Sequence, residues 1–319
     1  MSLETDDVPH HDPLRGTQLT ALIGATASGK SAVALHVAEA CGAEIVSLDS
    51  MQVYRGMDIG TAKSDGVERA RVPHHMLDLA DPSERYDVTR FLADLEVALA
   101  SIRARGKRAL FVGGTGFYLK VLSSGLFRGP DVDPKLRAEL ERRARDEGPD
   151  VLHAELVRVD PPSGAKLHAN DVKRVVRALE VWHQTGRPLS AWQTQWAGAQ
   201  TGARTLVGLE VPVPELDRRI ARRARSMLAA GWPAEAARVR DTGGFGPTAA
   251  QALGYAEALA VHDGALREDE AARRIALGTR QFARRQRTWY RKFADVRWIA
   301  AESRAPADLA IEVRRALEW

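Results

Sequence analysis

Ile23-Gly24-Ala25-Thr26-Ala27-Ser28-Gly29-Lys30-Ser31 joins an apolar run, Leu19 to Gly24, to an apolar-periodic one, Ser31 to Ala40. This is a complete G-x-x-x-x-G-K-S loop between a strand pattern and a helix pattern. Its glycines allow successive backbone N–H groups to turn inward on phosphate oxygens, and the helix N-terminus behind them adds partial positive charge. Lys30 is placed to reach the distal phosphates, and the Ser31 hydroxyl to meet a divalent cation bridging them. The stretch predicts a protein that binds a di- or triphosphate group, without saying which ester.

Working outward, Glu44 to Leu48 and Arg108 to Val112 are further short apolar runs that alternate with helical patterns such as Val88 to Ala104. That alternation predicts an α/β fold with a P-loop NTPase-like parallel sheet. His74 to Leu79, Thr205 to Val211 and Val296 to Ile299 are additional strand candidates. The breaker cluster Gly129-Pro130-Asp131-Val132-Asp133-Pro134 precedes helical patterns over Lys135 to Glu147 and Asn170 to Thr185, the latter stopped by Gly186-Arg187-Pro188. The expected organisation is therefore a tail over 1–17, a core formed by 18–130 with 204–319, and a mostly helical insertion over 131–203. The C-terminal part is expected to be helical up to a last strand and tail, with Gly243-Gly244-Phe245-Gly246-Pro247 as its flexible point.

The 319 residues are 45% hydrophobic and 28% charged, enough to bury a sizeable core. No apolar run approaches the roughly 20 residues of a membrane span, and the opening residues carry no secretory signal pattern; cytoplasm is the expected location. Cys41 is the only cysteine, which excludes an intrachain disulfide and a cysteine-based zinc site. The formal charge of +4 conceals an excess of arginine in the C-terminal half, in Arg218 to Arg225 and in Arg280 to Phe293. Arginine interleaved with aromatics suits a phosphate backbone with unstacked bases, and it equally suits a solvated helical face.

Asp49 follows the second apolar run, where the carboxyl end of a strand beside a phosphate loop faces the ligand crevice. It is a base candidate, followed by hydrogen-bonding groups on Ser50, Gln52 and Tyr54 and by the charge of Arg55. Phe111-Val112-Gly113-Gly114-Thr115-Gly116 brings backbone close to a ligand, but it lacks the acid with which a phosphate-transferring ATPase normally holds its metal. Asp78 is a substitute for that acid. His74-His75 diverge on a strand and lack a third ligand. His10-His11 belongs to the tail, and Trp182, Trp192, Trp196 and Trp232 are expected to anchor cores.

The ordered set of motifs resembles the tRNA dimethylallyltransferases, also called tRNA isopentenyltransferases, over nearly the whole chain. It comprises Gly24 to Ser31, Asp49-Ser50-Met51-Gln52-Val53-Tyr54-Arg55-Gly56-Met57-Asp58-Ile59-Gly60-Thr61-Ala62-Lys63, Val112 to Tyr118, Asn170 to Glu180, Gly254-Tyr255, and Thr279 through Trp289. The resemblance implies dimethylallyl diphosphate, with Mg2+, on Gly24, Ala25, Thr26, Ala27, Ser28, Gly29, Lys30 and Ser31, the metal on Ser31. It implies transfer to N6 of the adenosine 3′-adjacent to the anticodon in tRNAs reading codons that begin with U. Asp49 would take the N6 proton, and Thr26 and Arg223 would help bind or activate the diphosphate. Contact with tRNA is implied for Asp49, Ser50, Met51, Gln52, Thr115, Arg137, and the segment Lys173, Arg174, Val175, Val176 and Arg177. The target base would have to leave its stack. The chain departs from the family pattern at Gln251, where arginine is usual, and at Gly116, where a bulkier residue is usual. A monomer without a membrane partner is expected. A small-molecule kinase, an adenylate isopentenyltransferase and a plain RNA-binding module are the alternatives; the missing acid after Val112 and the long basic C-terminal half speak against the first, the helical insertion and Arg280 to Lys292 against the second, and Asp49 in the phosphate crevice against the third.

Overall fold

The computed structural model describes residue 14, residues 16–126, 130–192 and 204–319. The expected tail over 1–17, including His10-His11, and Trp196 lie largely or wholly outside them. Two compact units result, residues 1–123 with 202–319, and residues 124–201.

In the first unit the strands are Leu19–Gly24 (β1), Glu44–Leu48 (β2), His74–His75 (β3), Ala109–Gly113 (β4), Arg204–Glu210 (β5) and Val296–Ala300 (β6). They form one sheet in the order β3-β2-β4-β1-β5-β6, and every adjacent pair is parallel. The register sets Leu48 and Ile23 on either side of Gly113, so the loops leaving β2, β4 and β1 emerge together. Strands β1, β2 and β4 are buried at every residue, as a sheet covered on both faces requires. The expected strand over His74 to Leu79 shrinks to two residues. Met76 and Asp78 take left-handed backbone (φ 64 and 56), which ends extended pairing there.

The helices begin with Lys30–Cys41 (α1), Gly66–Arg71 (α2), Val88–Ala104 (α3) and Gly116–Ser124 (α4). α1 buries Val33, Ala34, Val37 and Ala38 against the sheet and ends at Gly42 in left-handed backbone (φ 60). α3 starts where the Asp87 carboxylate accepts the N–H groups of Thr89 and Arg90.

The second unit is helical: Pro134–Asp146 (α5), Pro149–Val159 (α6), Pro161–Lys166 (α7), Val172–Thr185 (α8) and Leu189–Trp192 (α9). Its own core is built from Leu140, Leu152, Leu156, Val175, Val176, Leu179 and Val181. Asp133 caps α5, and the fully buried Asp160 accepts N–H groups from Ser163 and Ser190 to join α7 to α9.

The chain returns to the first unit through β5, then Val213–Ala229 (α10), Trp232–Asp241 (α11), Tyr255–His262 (α12) and Glu268–Tyr290 (α13), and after β6 ends in Pro306–Leu317 (α14). Two expectations are corrected here. The terminal tail is mostly a helix packed on α1, with Leu309, Ala310 and Val313 buried. The glycine loop at 243–247 is anchored: Gly246 N–H donates to Pro82 at 2.8 Å and the residue lies directly against the Ser83 backbone.

Candidate active site

The G-x-x-x-x-G-K-S segment forms the turn from β1 into α1. Gly29 stands at the N-terminus of α1 with φ 92, and Ala27 also adopts left-handed backbone, φ 64. A non-glycine residue held there carries strain, a common feature of loops shaped for a ligand. Lys30 folds back, and its Nζ donates to Ala25 O at 3.4 Å. Burial, with repulsion from Arg223 and a smaller opposing pull from Asp49, lowers its pKa from 10.5 to about 8.

A cavity of about 80 Å³ opens beside this loop. Thr26, Lys30 and Ser31 line it from the loop side, Asp49 and Gln52 from the turn after β2, and Arg223 and Gln286 from α10 and α13. Deeper in, Ala34, Ile45 and Val112 give it an apolar wall. Its charged residues are therefore two cations, Lys30 and Arg223, and one carboxylate. Arg223 has no hydrogen-bond or ion-pair partner among the described residues. Burial depresses its pKa while the field of Asp49 supports the charge. A half-buried guanidinium with its donors free of the described residues, beside a phosphate loop, is a ready anion site.

Asp49 is held by its own turn: Oδ1 accepts Met51 N–H at 2.9 Å, which leaves Oδ2 to act. Thr115 clamps the two loops. Its N–H donates to Leu48 O at 3.1 Å and its Oγ1 accepts Ser50 N–H at 3.2 Å. Gln52 accepts from Ser47 Oγ at 2.8 Å and donates to Thr61 O and Ala62 O. Thus Asp49, Gln52, Thr26, Lys30, Ser31 and Arg223 converge as the sequence suggests, whereas Tyr54 does not. Its ring is fully buried, edge-on to Tyr86 at 6.4 Å.

Asp78 is not a metal ligand in waiting. It accepts from Lys63 Nζ and Arg69 Nη1, both at 2.7 Å, and it is absent from the lining of the phosphate cavity. His74 and His75 do diverge: Nδ1 of His74 meets Val72 O at 2.7 Å, while Nε2 of His75 meets Glu44 at 2.6 Å. Ser31 Oγ and Asp49 are hard oxygen donors lining one cavity, a set that suits magnesium arriving on a diphosphate.

The arginine run of α10 divides. Arg219, one turn before Arg223, donates to Glu215 at 2.8 Å and to Ser28 O at 3.4 Å, so it supports the phosphate loop from below. Arg222 and Arg225 stay exposed. On α13, Ala283, Gln286 and Tyr290 are buried on one face, while Arg280, Arg284 and Arg285 are exposed on the rest.

In the second unit the expected RNA-contacting segment is corrected in part. Val175 and Val176 are buried in that unit's core, 1% and 2% exposed, because α8 must turn them inward to pack on α5 and α6. Arg137 and Arg177 both pair with the buried Glu180, at 2.5 and 2.9 Å. Lys173 and Arg174 remain exposed, the latter paired with Asp171.

Sequence reasoning passed over Gln286, Tyr290, Phe282 and His74 as site residues. Gln286 and Phe282 sit inside the quoted run Thr279 through Trp289 and Tyr290 directly follows it, and their spacing of four residues marks one helical face. The Gly116 departure also acquires a cause: a Cβ there would stand 2.9 Å from Trp289 Cβ, so the indole occupies the space a larger residue would need.

The IPP transferase family profile matches residues 52–293, and the isopentenyl transferase profile residues 17–71. The chain is 46% identical over 286 residues to the tRNA dimethylallyltransferase of Geobacter metallireducens, covering 89% of this chain and 92% of that protein. It is 43% identical over 301 residues to the tRNA dimethylallyltransferase of Deinococcus radiodurans, covering 93% and 95%. Among solved structures it resembles the full-length tRNA isopentenylpyrophosphate transferase of Bacillus halodurans, with a TM-score of 0.66 and 34% identity over 94% of this chain and 97% of that one. It also resembles a eukaryotic dimethylallyltransferase acting on tRNA, with a TM-score of 0.77 and 28% identity over 90% and 74%. With a parallel sheet, a phosphate loop and these matches over most of its length, the chain belongs to the tRNA dimethylallyltransferase family.

Proposed function

We propose that the protein transfers the dimethylallyl group of dimethylallyl diphosphate to N6 of the adenosine 3′-adjacent to the anticodon of tRNAs reading codons that begin with U. The observation that carries this reading is the convergence of Lys30, Arg223 and Asp49 on one cavity beside the phosphate loop. The loop amides, Lys30 and Arg223 bind the diphosphate and neutralise the charge it gains as a leaving group. The apolar wall of Ala34, Ile45 and Val112 accepts a hydrocarbon tail better than a second phosphorylated group. As the bond between C1 and the bridging oxygen breaks, N6 bonds to C1 and its proton passes to Asp49 Oδ2. Ser31 would hold magnesium, which when bound would supply positive charge against the diphosphate.

Thr26 contributes to diphosphate binding, and Ser50, Met51, Gln52 and Thr115 frame the entry of the adenine. In the first unit the exposed arginines of α13 bind RNA phosphates. In the helical unit Lys173 and Arg174 do so, and Arg137 and Arg177 shape that unit's surface through Glu180. The enzyme acts on tRNA in the cytoplasm as a monomer. The test is a matched incubation with magnesium of labelled dimethylallyl diphosphate plus unmodified tRNA or AMP, beside labelled ATP plus tRNA. Prenyl label on tRNA supports the reading. Label on AMP alone makes it an adenylate isopentenyltransferase, and phosphate transfer from ATP without prenyl transfer makes it a kinase.

A further inference from the structure

The loops that border the phosphate cavity hang from two successive turns of α13. Gln286, 5% exposed, accepts Thr26 N–H on Oε1 at 2.8 Å and donates from Nε2 to Gly114 O at 2.9 Å. One turn later the buried Tyr290 hydroxyl lies 3.3 Å from Gly24 O and 3.4 Å from Gly113 O, either of which accepts its proton. A single planar group therefore ties the phosphate loop after β1 to the glycine turn after β4. The Gln286 amide meets both demands at neutral pH. A carboxylate accepts but cannot donate, and methionine does neither usefully. Gly114 is the matching requirement on the other side, since a Cβ there would stand 2.2 Å from Gln286 Nε2.

A phosphate loop binds through N–H groups held at fixed positions, so whatever fixes the loop before the anion arrives lowers the ordering cost of binding. We propose that Gln286 is a positioning residue for diphosphate: it holds the Thr26 segment of the phosphate loop against the Gly113-Gly114 turn in the form that receives the anion. This rests on the reading of that loop as the diphosphate site. Gln286 acts through Thr26 and Gly114 and takes no part in bond making.

The test compares the wild-type full chain with Gln286→Met and Gln286→Glu, using inorganic pyrophosphate with magnesium as the probe, titrated calorimetrically without RNA. Gln286→Met removes both bonds and leaves two buried backbone groups unpaired, which predicts pyrophosphate affinity lower by roughly tenfold to a hundredfold. Its affinity for tRNA, whose proposed phosphate contacts are the exposed arginines of α13 with Lys173 and Arg174, none of them bonded to Gln286, should stay within about twofold by the same accounting. Gln286→Glu gives a sharper readout. A protonated carboxyl has one acceptor and one donor and can replace the amide, so this variant should bind pyrophosphate nearly as wild type at low pH. It should then lose affinity as pH rises through the titration of the new carboxyl.

The titratable groups facing the same cavity are Lys30 from the phosphate loop, Asp49 from the turn after β2, His74 from β3, whose pKa burial lowers, and Arg223 from α10, with Tyr290 on the same helix. They are common to all three proteins, so the new pH limb belongs to Gln286→Glu alone. The proposal is overturned if folded Gln286→Met binds pyrophosphate as tightly as wild type, or if Gln286→Glu follows the wild-type pH profile. Should Gln286→Met not fold, the pH profile of Gln286→Glu decides. If wild type itself does not bind pyrophosphate, the reading of the phosphate loop fails first, and a defect confined to the variants cannot be confused with it.

Discussion

The Tyr255 hydroxyl donates a 2.8 Å hydrogen bond to the buried carboxylate of Glu235, which also accepts the N–H groups of Asp58, Ile59 and Gly60 at 3.0, 2.7 and 3.0 Å. One carboxylate thus gathers the segment that runs into Thr61 and Ala62 on the cavity wall. Its charge is tolerable inside because four donors surround it. Trp232, the residue that opens α11, packs edge-on to Tyr255 at 5.5 Å and seals the cluster.

Glu235→Ala leaves three backbone N–H groups and a phenol without their partner. It should destabilise the fold by about 3 kcal/mol or more, and Tyr255→Phe, losing one bond to a charged group, by about 1.5–3 kcal/mol. Urea denaturation measures both. A Glu235→Ala protein as stable as wild type would mean that water or another donor set replaces the carboxylate.

Asp49→Ala should slow prenyl transfer by at least about a hundredfold, the range for loss of a positioned base. Tight binding of tRNA should survive, because the Thr115 clamp on Leu48 and Ser50 does not involve the carboxylate. Single-turnover rates with saturating substrates, set beside a filter-binding titration, separate the two. An unchanged single-turnover rate removes Asp49 from the base role.

How much of this was readable beforehand varied with the kind of interaction. β1, β2 and α3 emerge from the sequence with their observed bounds, because apolar runs and helical periodicity are local signals. β3 was overextended, since nothing in His74 to Leu79 announces that Met76 and Asp78 bend the backbone into the left-handed region. The phosphate loop and Asp49 were legible because a motif and a strand end carry them. Gln286 was invisible as a site residue: its partners lie 260 and 172 positions away in sequence. The arginines were the least readable. Arg219 and Arg223 face the site while Arg222 and Arg225 face solvent, a division set by the helical period and by what α10 packs against. Val175 and Val176 failed as RNA contacts for the same reason, being the buried stripe of α8.

Lys30 supplies a pH dependence. In the empty site its ammonium gives up a proton at about 8. A bound diphosphate holds that proton to higher pH, so binding is full below pH 8 and weakens by about tenfold per pH unit above it, until the complex also titrates. Pyrophosphate affinity measured across this range checks the sign; affinity that rises between pH 8 and 9 would contradict it.

Arg223 is expected to trade stability for binding. Its guanidinium is half-buried without a partner among the described residues, so Arg223→Met should leave the denaturation midpoint unchanged or raise stability by about 1 kcal/mol. The same change should weaken pyrophosphate by about a hundredfold, the typical cost of one charge-assisted anion contact in a low-dielectric site. A variant that loses stability and keeps its affinity would place Arg223 in the scaffold instead.

The most direct test of the whole account is to treat unmodified tRNA with the purified protein, magnesium and dimethylallyl diphosphate, then digest it and locate any prenylated nucleoside. The account predicts N6-dimethylallyladenosine at the position 3′-adjacent to the anticodon, formed by wild type and lost with Asp49→Ala. Unmodified adenosine at that position, with prenyl transfer to AMP or phosphate transfer from ATP in its place, would contradict it.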